Sequence, residues 1–225
     1  MSEKSYTRLY EKDFTPIKYF WQRFFTYLFF IPFFSIFYKI TVSGKENIPK
    51  GKKIICAPNH ISFLDPFLVY IATKKPMAFM AKQELFSNKF MAWILPKLCA
   101  FAVNRQKLEV STIKTVKDVM KTKDWNLCIF PQGGIFRNKK IEKINRGFIV
   151  IAKMSKTDIL PLSITGSEHD NWIPFKGKIE LKVGTPISYE LPEEEIYQEW
   201  AKQITLMTGY EYVSDVSTDN AEKIA

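Results

Sequence analysis

KKIICAPNHISFLDPF, from Lys52 to Phe67, is the stretch on which the fold turns. Its first half is a short apolar run ending at Pro58-Asn59, the mark of a buried strand over Lys52–Asn59. Its second half reaches Asp65-Pro66, where a proline suits the first turn of a helix and Asp65 suits the cap before it. A helix is therefore expected over Pro66–Thr73. The same alternation continues outward. Strands are expected over Pro76–Lys82, Cys99–Arg105, Asn126–Gly134, Asp158–Gly166 and Lys178–Ile187, and helices over Met91–Leu98, Val110–Thr122, Gly147–Ser155 and Glu193–Met207. Strands separated by helices predict an α/β fold with a mostly parallel covered sheet and flanking helices. Ligands of such sheets sit outside the carboxyl ends of the strands. Three expected strand ends carry polar residues: Asn59-His60, Asn104-Arg105 and Gln132-Gly133-Gly134.

Composition narrows the class. Of the 225 residues, 46% are hydrophobic and 25% charged, which excludes wholesale disorder and a collagen-like fibre. The formal net charge of +10 favours a polyanionic partner, whether nucleic acid, an anionic membrane surface or a phosphorylated substrate. Cys56, Cys99 and Cys128 form no Cys-x-x-Cys and read as buried free thiols. With only His60 and His169 present, a His/Cys metal site is not expected.

Upstream, 13 of the 34 aromatic residues fall between Phe14 and Tyr38. FFTYLFFIPFFSIFY, between Arg23 and Lys39, is 15 uncharged residues interrupted by Pro32. A spanning helix needs about 20 apolar residues, so the run reads as too short to cross a bilayer. It is apolar all round and flanked by Lys18, Arg23 and Lys39, which suits a membrane-surface anchor, with docking on the core as the other reading. As an anchor it would touch lipid through Trp21, Phe24, Phe25, Phe29, Phe30, Phe33, Phe34 and Phe37. The expected organisation is an N-terminal aromatic membrane-associating helical segment over 1–43, an α/β domain over 44–213 and a flexible tail over 214–225.

His60 and Asp65 are the candidate chemistry. On a regular helix five residues turn through about 500°, leaving the two side chains roughly 140° apart. If His60 instead lies in a turn before the helix, chain reversal can bring its ring onto the Asp65 carboxylate. A carboxylate on one ring nitrogen fixes the tautomer and leaves the other to accept a proton. The alternative is a helix cap beside an unrelated turn histidine. No Gly-x-Ser-x-Gly accompanies the pair, so a dyad here would act on a substrate hydroxyl directly.

Asn59-His60-x4-Asp65 resembles the first motif of the glycerolipid acyltransferase family, of which 1-acylglycerol-3-phosphate (lysophosphatidate) acyltransferases are typical. AKQEL (81–85), FAVNR (101–105), IFPQGG (129–134), INRGFIVIA (144–152), ILPLSITG (159–166) and VGTPI (183–187) follow in the family's order. The resemblance implies that His60 is a general base oriented by Asp65, removing a proton from a lysophospholipid hydroxyl. That oxygen would attack the thioester of acyl-CoA or acyl-carrier protein, with no metal or other cofactor. It implies substrate contacts at Asn59, Arg105 and the Gln132-Gly133-Gly134 turn, whose backbone N–H groups would hold phosphate or oxyanion. Pro161 matches a motif that shapes the acyl tunnel. Lys82 is either a phosphate contact or a surface lysine. The third motif usually reads Glu-Gly-Thr-Arg, and Cys99 stands where glycine is usual. Arg137, Lys139, Lys140, Lys143 or Arg146 would then replace the missing arginine, the other reading of that basic run being a solvated face. His169 reads as a loop residue. The resemblance thus implies a membrane-associated enzyme, peripheral or monotopic on a cytoplasmic membrane face. The competing class is a non-enzymatic lipid- or nucleic-acid-binding module. Nucleic acid is disfavoured because aromatics and cations are not interleaved on a strand face.

Overall fold

Apolar runs too short for helices become the strands of one sheet. The computed structural model describes residues 9–103, 109–168 and 176–214. Among these the strands are β1 (Tyr38–Ser43), β2 (Ile55–Pro58), β3 (Met77–Lys82), β4 (Ala100–Val103), β5 (Asn126–Cys128), β6 (Lys140–Ile141), β7 (Ile159–Thr165), β8 (Gly177–Val183) and β9 (Glu211–Tyr212). Seven of them pair in the order β1-β8-β7-β2-β5-β3-β4, while β6 and β9 form a separate two-stranded ladder. Every contact in the large sheet is parallel except β7 against β8. All residues of β2, β4 and β5 are buried, the pattern of strands covered on both faces. β8 alternates instead, as befits a strand near an edge.

Helices α1 (Pro16–Phe37), α2 (Asp65–Thr73), α3 (Lys89–Ile94), α4 (Val110–Lys121), α5 (Gly147–Ser155) and α6 (Glu193–Thr208) flank the sheet. α6 seals the core with Trp200, whose fully buried indole packs near Phe148 and donates to the Ala57 carbonyl at 2.9 Å. Trp200→Ala is expected to cost about 3–5 kcal/mol in denaturant unfolding, through the cavity and the orphaned carbonyl. A loss below about 1 kcal/mol would contradict this packing.

Three expectations are corrected. β1 lies before the expected boundary at Gly44, yet pairs with β8 along its whole length and so belongs to the sheet. Pro32 does not break the N-terminal run. Residues Thr26–Phe30 take a π-helical turn just before it, with the Ile31 N–H donating to the Thr26 carbonyl five residues back. That wider turn absorbs the carbonyl clash a proline brings, so α1 runs unbroken for 22 residues. By length and composition α1 could cross a membrane. One side of it is nevertheless docked: the Gln22 side chain donates to the carbonyls of Met77 (2.7 Å) and Leu98 (2.6 Å), and Phe30 stacks on Phe67. Phe34, expected to touch lipid, is fully buried in the core. Phe25, Phe30, Phe33 and Phe37 are half-buried, whereas Trp21, Phe24 and Phe29 are exposed. The expected tail from residue 215 onward lies outside the described residues.

Candidate active site

Sheet geometry sets the position of His60 before any side chain does. Ala57 is held by Trp200, and Asn59 is clamped to β7: its side-chain amide donates to the Ile164 carbonyl (2.9 Å) and its oxygen accepts the Ile164 N–H (2.7 Å). Asn59 is fully buried with both amide ends engaged, so the substrate contact expected there is corrected to a structural brace. The chain then turns sharply and enters α2 at Asp65.

Asp65 does not cap α2; the residue before the helix is Leu64, without a side-chain cap bond. Its carboxylate folds back over the turn instead. Oδ2 accepts the backbone N–H groups of Ile61 (2.7 Å) and Ser62 (2.9 Å) and meets His60 Nδ1 at 2.8 Å. Oδ1 accepts the Ser167 hydroxyl at 3.0 Å. The side chain is fully buried, so it must be satisfied by these donors. An ionised carboxylate only accepts, which assigns the proton to Nδ1 and leaves Nε2 as the nitrogen able to take another. The Phe130 ring stacks on the imidazole with centroids 4.0 Å apart, fixing its plane.

His60 lies on the wall of a cavity of about 700 Å³. Its walls are largely apolar: Phe67 and Tyr70 of α2, Phe79 and Met80 of β3, Met91 and Ile94 of α3, then Leu95 and Leu98. Gln22 and Thr26 of α1 close one side, while Lys82 and Gly134 lie on the lining. An imidazole on the wall of a largely apolar chamber can meet the polar end of an apolar ligand.

Of the other expected contacts, several are relocated. Gln132 is buried and its amide points to the Lys140 and Glu142 carbonyls (3.3 and 3.4 Å), so it ties the turn to β6 rather than facing substrate. Gly133 takes φ +66°, and its N–H already donates to the Phe130 carbonyl, so it does not act as an anion donor. A Cβ there would press on the Asn145 amide, which accounts for glycine. Phe136 N–H donates to the His60 carbonyl at 2.8 Å, pinning this loop to the dyad. Gly133 and Arg146 line a second, smaller pocket of about 220 Å³ at the start of α5, which shares Met80, Ala81 and Phe130 with the first. The Arg146 guanidinium is paired with Glu194 at 2.7 Å and lies over Tyr197. Arg137 is exposed and lines neither cavity. Lys82 is half-exposed and paired with Glu84 at 3.2 Å. Arg105 and His169 lie outside the described residues.

A family model described as Acyltransferase matches residues 39–165, more than half of the chain. The chain belongs to the acyltransferase family. A 1-acyl-sn-glycerol-3-phosphate acyltransferase of Streptococcus pneumoniae is 33% identical over 145 residues, covering 63% of this chain and 53% of that protein. One of Bacillus subtilis is 31% identical over 149 residues, covering 66% of this chain and 73% of that protein. The chain thus spans about half the length of the first relative and nearly three quarters of the second. The crystal structure of the 1-acyl-sn-glycerophosphate acyltransferase PlsC from Thermotoga maritima has the same fold, with a TM-score of 0.67, 22% identity and coverage of 85% of this chain and 80% of that one.

Within the acyltransferase frame, one departure from the family's usual residues has a visible consequence. Cys99 adopts φ +57°, the left-handed region that a glycine enters freely. Burial pushes its thiol up to about 12, and the buried Cys128 thiol is likewise held well above its usual range. Two residues of the site escape sequence reasoning. Ser167 reaches Asp65 across 102 positions, delivered by the Gly166 turn after β7, whose φ of +87° suits glycine. Phe130 was legible as part of a strand and of the IFPQGG block, yet it lines both cavities and stacks on His60.

Proposed function

We propose that this chain is a membrane-associated O-acyltransferase. It moves an acyl chain from the thioester of acyl-CoA or acyl-carrier protein to the hydroxyl of a lysophospholipid. The proposed acceptor is 1-acylglycerol-3-phosphate, giving phosphatidate, as the printed names of the relatives suggest. The observation that carries the reading is the Asp65-held imidazole on the wall of the apolar cavity. In the proposed step Nε2 of His60 takes the hydroxyl proton while the oxygen attacks the thioester carbonyl. The tetrahedral intermediate collapses by breaking the carbon–sulfur bond, and the imidazolium returns its proton to the departing thiolate. The enzyme forms no covalent intermediate, and the activated thioester removes any need for a metal or other cofactor. Asp65 fixes the tautomer and stabilises the transient imidazolium. The cavity receives an acyl chain, and its removal from water contributes affinity in proportion to the area covered.

The exposed aromatic side of α1, with Ile17, Phe20, Trp21, Phe24, Leu28 and Phe29, supports membrane association. The proposed location is the cytoplasmic face of a membrane, peripheral or monotopic; the hydrogen bonds that tie the opposite side of α1 to the domain support attachment over crossing. The altered third motif favours one second reading, an acceptor other than 1-acylglycerol-3-phosphate, since the Gln132 amide is committed to backbone carbonyls. Isotope-labelled acyl thioesters mixed with a pool of lysolipids, aminolipids and glycolipids decide this. Label in phosphatidate supports the first reading, label in another lipid the second, and intact thioester throughout leaves a lipid-binding protein without activity.

Ser167→Ala removes one of the four donors to Asp65. It is expected to lower kcat about five- to ten-fold with the acceptor KM unchanged, the loss of one hydrogen bond to a buried charge felt in the transition state. An unchanged kcat, or a change confined to KM, would contradict this role.

A further inference from the structure

Beyond α1, Leu206 on α6 and Val110 on α4 are exposed apolar residues in other elements, but four exposed apolar side chains gather at one place. Phe63 is 71% exposed, Phe90 59%, Trp93 58% and Leu85 38%. Isolated apolar residues are ordinary on a protein surface, but a cluster around one opening calls for a partner. Phe63, Leu85 and Phe90 also line the large cavity, so they form its rim. α3 carries this rim on a fixed support: the Asn88 side chain accepts the N–H groups of Phe90 (2.9 Å) and Met91 (3.2 Å), while Met91 and Ile94 turn inward to the cavity. Trp93 does not line the cavity; it lies 6.3 Å from Phe90, ring to ring, with Lys97 Nζ 3.3 Å from its ring centroid. Lys82, Lys89 and Lys97 are all exposed around the patch. An indole paired with a cation, beside exposed phenylalanines, matches the layered polarity of a lipid headgroup region. The segment after α3 is joined to α1 by the Gln22–Leu98 hydrogen bond, and both elements border one chamber, α1 through Gln22 and Thr26.

We propose that the rim of α3 with Phe63 and Leu85 is a second membrane-contacting element, remote in sequence from α1. It seats the mouth of the cavity at the headgroup–acyl boundary of an anionic leaflet, so that a lipid chain enters sideways without crossing water. Phe63, Leu85 and Phe90 meet acyl chains, and Lys82, Lys89 and Lys97 meet the lipid phosphates. The proposal rests on the reading of the cavity as an acyl site, but its test does not depend on turnover.

The test uses the full chain and vesicles of phosphatidylglycerol with phosphatidylcholine. Trp93→Ser is expected to lower the vesicle partition coefficient about ten-fold, as does Phe90→Ser, the effect of one large side chain no longer buried in lipid. Brominated phosphatidylcholine is expected to quench wild-type tryptophan fluorescence more than that of Trp93→Phe. Turnover of detergent-dispersed substrate by Trp93→Ser should stay within two-fold of wild type. Unchanged partition and quenching in these variants would overturn the proposal. So would a dimer in sedimentation that Trp93→Ser converts to monomer while partition holds, since a second copy would then cover the patch. A wild-type protein that partitions through Trp93 yet acylates no lysolipid would sink the enzymatic reading and leave the membrane contact standing.

Discussion

His60→Ala is expected to lower acyl transfer by at least about 1,000-fold while the protein remains folded. Removal of a positioned general base costs roughly 100- to 10,000-fold, and here no second imidazole is in contact with Asp65 among the described residues. The fold should tolerate the change because the His60 side chain is partly exposed, at 12%, and Asp65 keeps its bonds to Ile61, Ser62 and Ser167. Thiol release from the acyl donor measures the rate, and circular dichroism measures the fold. Turnover within ten-fold of wild type would remove His60 from the mechanism.

Asp65→Asn should have the second-largest effect, and for two separable reasons. An asparagine presents one acceptor oxygen where the carboxylate presents two, while the turn aims three N–H donors at Oδ2 and a hydroxyl at Oδ1. At least one buried donor then faces an NH2 group, costing about 1–3 kcal/mol of stability. The imidazole also loses the partner that fixes its tautomer, and the corresponding change in Ser-His-Asp enzymes costs roughly 10,000-fold. Because both residues act through one proton, His60→Ala with Asp65→Asn should be little slower than His60→Ala alone. Additive rate losses would mean that Asp65 works only by holding the fold.

Much of this arrangement was legible in residue order, for physical reasons. Strands covered on both faces leave uninterrupted apolar runs, and Val110, Ile113, Val116 and Val119 at helical spacing marked α4 to within a residue of its end. The dyad was one of two readings of the His60-to-Asp65 spacing, the other being a helix cap beside a turn histidine, and the resemblance to the acyltransferase first motif is what favoured it. What failed was whatever depends on a partner distant in sequence. Asn59 looked like a substrate contact because nothing local announces its bond to Ile164, 105 positions away. Pro32 looked like a helix breaker because the π-turn that accommodates it is not encoded by any one residue. β1 was missed because its alternating pattern follows an aromatic run and makes sense only beside β8. The cavity itself is invisible in sequence, since its walls come from α1, α2, α3, β3 and the Gly134 turn at once.

The proposed proton transfer requires that Asp65 hold the His60 imidazole protonated on Nδ1 and open on Nε2. Histidine-selective 15N NMR reads this directly, and with only two histidines in the chain a His169→Gln variant assigns the signals. In the neutral ring His60 is expected to show a protonated Nδ1 and an unprotonated Nε2, with that preference lost in Asp65→Asn. A ring protonated on Nε2 in the wild-type protein, or a tautomer indifferent to Asp65, would contradict it.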